Sequence, residues 1–216
     1  MSFLTITMKV TMQAAPRRTG RPLSFDREAA LRQAMLLFWR FGYETTSVAE
    51  LTAAMGISAP SLYAAFGDKK RLFLEAMRLY VGDPETMARA IGNAPTAFHA
   101  SRDLMRAAAA TYTGETTPPG CLLASATASG SAMSADVQKE VADVRRRIAE
   151  WLEARIERDM AEGILPPGTR AEALAGLVLA VAQGMSVLAR DGANRASLMA
   201  IVEAALGAWP PMAVSA

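Results

Sequence analysis

From Phe25 onward, apolar residues recur at three- and four-residue intervals, the period with which a helix turns one face toward a core. The first run, Phe25 to Gly42, puts Ala30, Leu31, Ala34, Leu37, Phe38 and Phe41 on one side, and Gly42 ends it. The next run is short. Val48, Leu51 and Met55 form its inward stripe, Gly56 stops it because glycine accepts the positive φ of a helix C-terminus, and Ile57 follows as a plug. Ser58 can then cap a second short helix with Pro60 in its first turn, where a missing N–H costs nothing. Leu62 and Phe66 form the buried face of that helix, leaving Ala59, Pro60, Ser61, Tyr63 and Ala64 outward. A helix from Asp68 to Val81 comes next, with Leu72, Phe73, Ala76, Leu79 and Tyr80 inward. Its start is expected to pack on the short helices and its end to enter the rest of the chain, as the one lever between them.

Downstream, glycine and proline punctuation separates helical patterns at about 84–92, 96–113, 121–129, 135–162, 170–190 and 194–208. Only residues 1–12 alternate in a strand-like way, and no partner strand follows. They are expected to be a flexible leader, or to precede a natural start at Met8 or Met12. The predicted fold class is all-α.

Two short helices joined by a glycine turn form a helix-turn-helix, whose second helix can enter a DNA major groove. The spacing alone suits any helical hairpin, and the flanks favour DNA. Asp68 can cap a helix whose first turn offers Lys69, Lys70 and free N–H groups to a phosphate. On the other side, Gln13 to Leu23 reads as a mobile basic arm carrying Arg17, Arg18 and Arg21; such arms lie along phosphates or in a minor groove, or serve only as solubilising tails.

Over about Phe25 to Tyr80 the chain carries Phe41-Gly42-Tyr43, Thr45-Thr46-Ser47-Val48, Met55-Gly56-Ile57-Ser58, Ser61-Leu62-Tyr63, Phe66 and Asp68-Lys69-Lys70-Arg71-Leu72-Phe73 in that order. In these motifs it resembles the N-terminal domain of the TetR family of transcriptional repressors. Thr52 departs from it, standing where the family usually has alanine. The resemblance implies a three-helix helix-turn-helix domain at 25–70, after an arm at 1–24 and before a helical ligand-binding and dimerisation domain at 71–216. It implies that Ala59, Pro60, Ser61 and Tyr63 face the groove with Ser58 at their helix start, and that Thr46, Ser47, Tyr63, Lys69 and Lys70 hold phosphates. It also implies a repressor that releases a palindromic operator when an effector binds.

Charge agrees with that division. Residues 1–70 hold nine Lys/Arg against five Asp/Glu, and residues 71–216 hold fourteen against sixteen, so a basic head joins a slightly acidic body. A hydrophobic content of 51% with 20% charged residues suits a globular helical chain. The single cysteine rules out an internal disulfide framework, and one histidine leaves no recognisable zinc cluster. With no secretory pattern at the start, the cytoplasm is the expected compartment. Residues 171–189 are nearly all apolar, but Gln183 and Ser186 interrupt them, and a helix buried in an oligomer core is expected there rather than a membrane span.

The body offers less chemistry. Val137, Val141, Val144, Ile148, Leu152 and Ile156 form a seam on one long helix, with Arg145, Arg146 and Arg147 as its solvated face. The last two helices are apolar over more than one stripe, a pattern of subunit interfaces, and a homodimer through residues 170–208 is expected, forming the four-helix core the resemblance implies. Met77, Tyr80, Phe98, Met105, Cys121, Trp151 and Met185 are candidate ligand contacts for a small hydrophobic or electrophilic effector, although each taken singly fits the core better. Cys121, at a helix start after Pro119-Gly120, suits a reactive thiol and a buried structural cysteine alike. A Cys121 nucleophile with His99 as base has no spacing motif behind it, so no catalytic residue and no cofactor are assigned.

Overall fold

Small polar residues mark where helices begin. Asp26, Ser47, Ser58, Asp68, Asp83, Thr96 and Asn194 each turn a side-chain oxygen back to accept from a first-turn N–H. In the computed structural model, which describes residues 25–126 and 135–211, these caps open seven of ten helices: α1 (Arg27–Phe41), α2 (Val48–Met55), α3 (Ala59–Phe66), α4 (Lys69–Val81), α5 (Pro84–Gly92), α6 (Ala97–Tyr112), α7 (Leu122–Ser125), α8 (Ala135–Ala161), α9 (Ala171–Arg190) and α10 (Arg195–Gly207). No strand occurs among the described residues. Residues 1–12 and the basic arm lie outside them.

The head closes around aromatic rings. Phe38 of α1 meets Phe73 of α4 edge-on at 5.2 Å, and Tyr43 packs against both. Leu51, Leu62, Phe66 and Leu72 complete the core, each fully burying a side chain at a gain of roughly 1.5–3 kcal/mol. Arg27 lies 4.3 Å over the Phe66 ring and pairs with Glu75 at 2.7 Å, tying α1 to α4. The boundary expected after residue 70 falls inside α4, whose Leu72 and Phe73 belong to the head core.

Phe41 is a correction: expected inward, it is 56% exposed. The buried row of α1 advances in steps of four, Ala30, Ala34, Phe38 and Gly42, and so leaves Phe41 on the flank where the helix ends. Leu79 is likewise exposed. The predicted helix at 121–129 begins as a single turn, α7, and residues 127–134 lie outside the described ones.

In the body, the α8 seam buries Val137, Val141, Val144, Leu152 and Ile156 against its neighbours, with Ile148 half-buried. Near its end Arg155 and Asp159 form a buried ion pair. Asp159 also accepts the Ala97 N–H at 2.7 Å, and Arg155 donates to the carbonyls of Ala94 and Pro95, so the loop between α5 and α6 is fastened to α8.

Head and body meet at a side chain the sequence analysis did not single out. Trp39 faces away from the head core, packs edge-on against Tyr80 at 4.8 Å, and donates its indole N–H to the Gly120 carbonyl at 2.9 Å. The Trp39 carbonyl accepts from Ser125 at 2.8 Å and from Arg190 at 3.3 Å. So α1, as well as α4, spans both parts. Next to Trp39, Gly42 has φ +87° and lies so close to α7 that a Cβ there would stand 2.7 Å from the Ser125 carbonyl oxygen.

Candidate nucleic-acid interface

Two short helices present one continuous polar and apolar surface because caps and a glycine fix the angle between them. At the start of α2, Ser47 and Glu50 exchange bonds in a capping box: Glu50 accepts the Ser47 N–H at 2.7 Å and its own N–H donates to Ser47 Oγ at 3.2 Å. That bonding holds the Glu50 carboxyl below the usual carboxylate range. Gly56 ends α2 in the left-handed conformation, φ 66°, ψ 31°, and the chain turns at once into α3. Ser58 Oγ accepts the Ser61 N–H at 3.3 Å and lies 2.9 Å from Ser61 Oγ.

The face that α3 turns outward carries Ala59, Pro60, Tyr63 and Ala64, with Tyr63 49% exposed, while Leu62 and Phe66 anchor it from below. Ser61 is half-buried. Ser47 is exposed at the N-terminus of α2. Lys69 opens α4, its Nζ 3.3 Å from the Glu44 carbonyl and 4.6 Å from the centre of the Tyr43 ring; partial burial lowers the ammonium pKa. Lys70 pairs instead with Asp136 of α8. Arg17, Arg18 and Arg21 lie outside the described residues.

Thr46 does not belong to this surface. It is 1% exposed, and its hydroxyl donates to the Gly42 carbonyl at 2.6 Å, so it holds the corner after α1 rather than a phosphate. Thr46→Val should therefore cost about 1–2 kcal/mol in urea unfolding, by removing a buried donor from its acceptor, and leave the salt dependence of DNA binding unchanged.

Residues 30–76 match the bacterial regulatory proteins of the tetR family, and residues 100–204 match the tetracyclin repressor-like C-terminal domain. The HTH-type transcriptional repressor ComR of Escherichia coli K12 is 34% identical over 202 residues, 93% of this chain and 96% of that protein. The chain belongs to the TetR family. BdcR, another HTH-type transcriptional repressor of Escherichia coli K12, is 48% identical over 66 residues, covering 31% of this chain and 34% of that protein. Among solved structures, a cysteine mutant of the TetR family regulator CifR complexed with 26-bp double-strand operator DNA superposes with a TM-score of 0.82 at 40% identity, covering 88% of this chain and 100% of that one. Reduced Escherichia coli NemR shares the fold, with a TM-score of 0.67 at 17% identity over 88% of this chain and 98% of that one.

The seven candidate effector residues of this TetR-family chain divide. Met77, Met105, Cys121 and Met185 are buried, and Tyr80, Phe98 and Trp151 half-buried. Tyr80 and Cys121 come together, the phenol donating to Sγ at 3.5 Å, and burial raises the pKa of both the Tyr80 and Tyr112 hydroxyls, which lie beside the thiol. The Cys121 N–H donates to Ser186 at 2.8 Å. Phe98 sits at the other end of α6, packed edge-on to His99 and Trp209; Tyr112 is fourteen positions further along the helix, roughly 20 Å, too far for one small pocket. An open groove of about 320 Å³ lies between the ends of α8 and α9, lined by Glu153, Glu157, Met160 and Thr169 among others, and by none of the seven.

α9 is long and apolar enough to cross a membrane by length and composition. Its buried side faces the body through Leu174, Val178, Ala182, Met185 and Ala189. The other side is uncovered: Ala173, Leu177, Ala180, Gly184, Val187 and Leu188 are exposed, next to exposed Ala196, Ala200 and Ala204 of α10.

Proposed function

We propose that this TetR-family regulator is a homodimeric repressor that grips a palindromic operator with α3 in successive major grooves and lets go when a small molecule enters the body. The observation that carries the reading is the α3 face, outward-facing Ala59, Pro60 and Tyr63 on a helix held rigidly by Ser58, Leu62 and Phe66, in a chain 40% identical to a regulator solved on its operator. Two-fold operators demand recognition helices about 34 Å apart. The uncovered apolar sides of α9 and α10 supply the pairing surface, and the dimer works in the cytoplasm.

In this reading Ser47, Tyr63, Lys69 and Lys70 neutralise or bond phosphates, and Ser61 and Ala59 meet base edges, Ser61 by hydrogen bonding and Ala59 by contact with a thymine methyl. The basic arm with Arg17, Arg18 and Arg21 adds phosphate or minor-groove contacts. Selecting operator fragments from genomic DNA with the purified protein provides the duplex for the test. Ser61→Ala should weaken operator about tenfold and random duplex less than twofold, whereas Lys69→Ala should weaken both and lower the salt slope by about one. Equal effects of the two substitutions on both duplexes would remove Ser61 from base reading.

The effector is small and apolar, or electrophilic toward Cys121, and the part of the body around Met77, Tyr80, Met105 and Cys121 is where its occupancy would bear on α4. By linkage, operator and effector must weaken one another by the same factor. Effector affinity that is unchanged by operator DNA would remove this mode of release.

A further inference from the structure

Among the described residues, two of the contacts between head and body stand well separated along α4. One is the junction of Trp39, Tyr80 and Cys121. The other is at the first turn, where Lys70 Nζ donates to Asp136 Oδ2 at 2.5 Å, between residues 66 apart in sequence. Tyr80 stands ten residues beyond Lys70, about 15 Å along the helix, so the two contacts engage opposite ends of α4.

The partners sit at helix starts: Lys70 is the second residue of α4 and Asp136 the second of α8. Lys69, the other cation of that turn, makes its contacts within the head, with the Glu44 carbonyl and the Tyr43 ring. The Lys70 side chain is 42% exposed, yet its ammonium is turned onto the body. Asp136 rides on a 27-residue helix, roughly 40 Å long, whose far end is fastened to the α5–α6 loop by the buried Arg155 and Asp159. Movement of the body thus carries Asp136 with it.

We propose that Asp136 is an autoinhibitory latch: its carboxylate occupies the Lys70 ammonium that would otherwise neutralise a DNA phosphate, and full DNA affinity requires the pair to open. The proposal rests on the DNA-binding reading above. The competition is between two oxyanions for one cation. Asp136 also places a negative charge at the edge of the head, where approaching phosphates meet it. Both side chains stand in water, so the contact is weak and salt-sensitive, as a switch that DNA itself can throw must be. An effector that shifts α8 toward the head would strengthen the latch, and one that withdraws it would weaken it.

The test uses the full-length protein and a random-sequence duplex across a salt series. Asp136→Asn should tighten binding about three- to fivefold at low salt and steepen the slope of log K against log salt by about one, as Lys70 joins the phosphate contacts. In a Lys70→Gln background the same substitution should change affinity by less than twofold and leave the slope alone. Wild-type protein that binds DNA while Asp136→Asn matches it, or an equal gain from Asp136→Asn with and without Lys70, overturns the latch alone. Wild-type protein that binds no duplex overturns the DNA reading and the latch with it.

Discussion

Leu177→Asp is expected to give a folded monomer that no longer holds operator DNA. Leu177 is 45% exposed on the free face of α9, so a carboxylate there stays hydrated in the single chain and folding is spared. In the proposed two-fold dimer the same position would be buried twice, and each unpaired carboxylate costs several kcal/mol. That loss is comparable to the whole association energy of an ordinary interface. With the partner gone, the second half-site must be bound separately, and operator affinity should fall on the order of a hundredfold or more. Sedimentation and gel shift, with circular dichroism as the control for folding, decide the matter: a dimeric Leu177→Asp places the interface elsewhere. Val181→Asp is the poorer probe, because Val181 is half-buried in the single chain and its loss mixes misfolding with dissociation.

Trp39→Ala should be the most destabilising single change in the head–body junction. It removes a buried ring, a T-shaped contact with Tyr80 and the donor to Gly120, a truncation of the kind that costs about 3–5 kcal/mol. The melting temperature should drop on the order of 10 °C. Trp39→Phe keeps a ring against Tyr80 and loses only the N–H, so it should recover more than half of that loss. If Trp39→Ala melts within 2–3 °C of the wild type, the junction carries little of the energy assigned to it.

The sequence made the head legible because its signals are local. Gly56, Ser58 and Asp68 act on residues within one turn, and each caps or stops the helix expected of it. The body's helices were equally readable from their period and punctuation. What stayed hidden depends on contacts across the chain. Trp39 lies one position from the core residue Phe38, and nothing within α1 distinguishes a ring that faces the head from one that waits for Gly120, 81 residues away. Thr46 was misplaced for the same reason: its type suits a phosphate contact, and only the path of the chain after Gly42 turns its hydroxyl inward. Lys70 reads as a free cation until α8 brings Asp136 to it. Phe98 and Cys121 share the chemistry of a ligand pocket, and the length of α6 keeps them apart.

The close approach of Gly42 to the Ser125 carbonyl bears on how this protein can be taken apart. A head transplanted onto another body of the same fold arrives with Trp39 and Gly42, which need a Pro119-Gly120-Cys121 corner to accept the indole and a backbone that tolerates contact without a Cβ. The recipient must supply both or shift its first short helix. The natural cut for a chimera is therefore not the loop after the DNA-binding helices: residues 25–125 travel as one piece, and exchange of operator specificity is easiest within α3 itself.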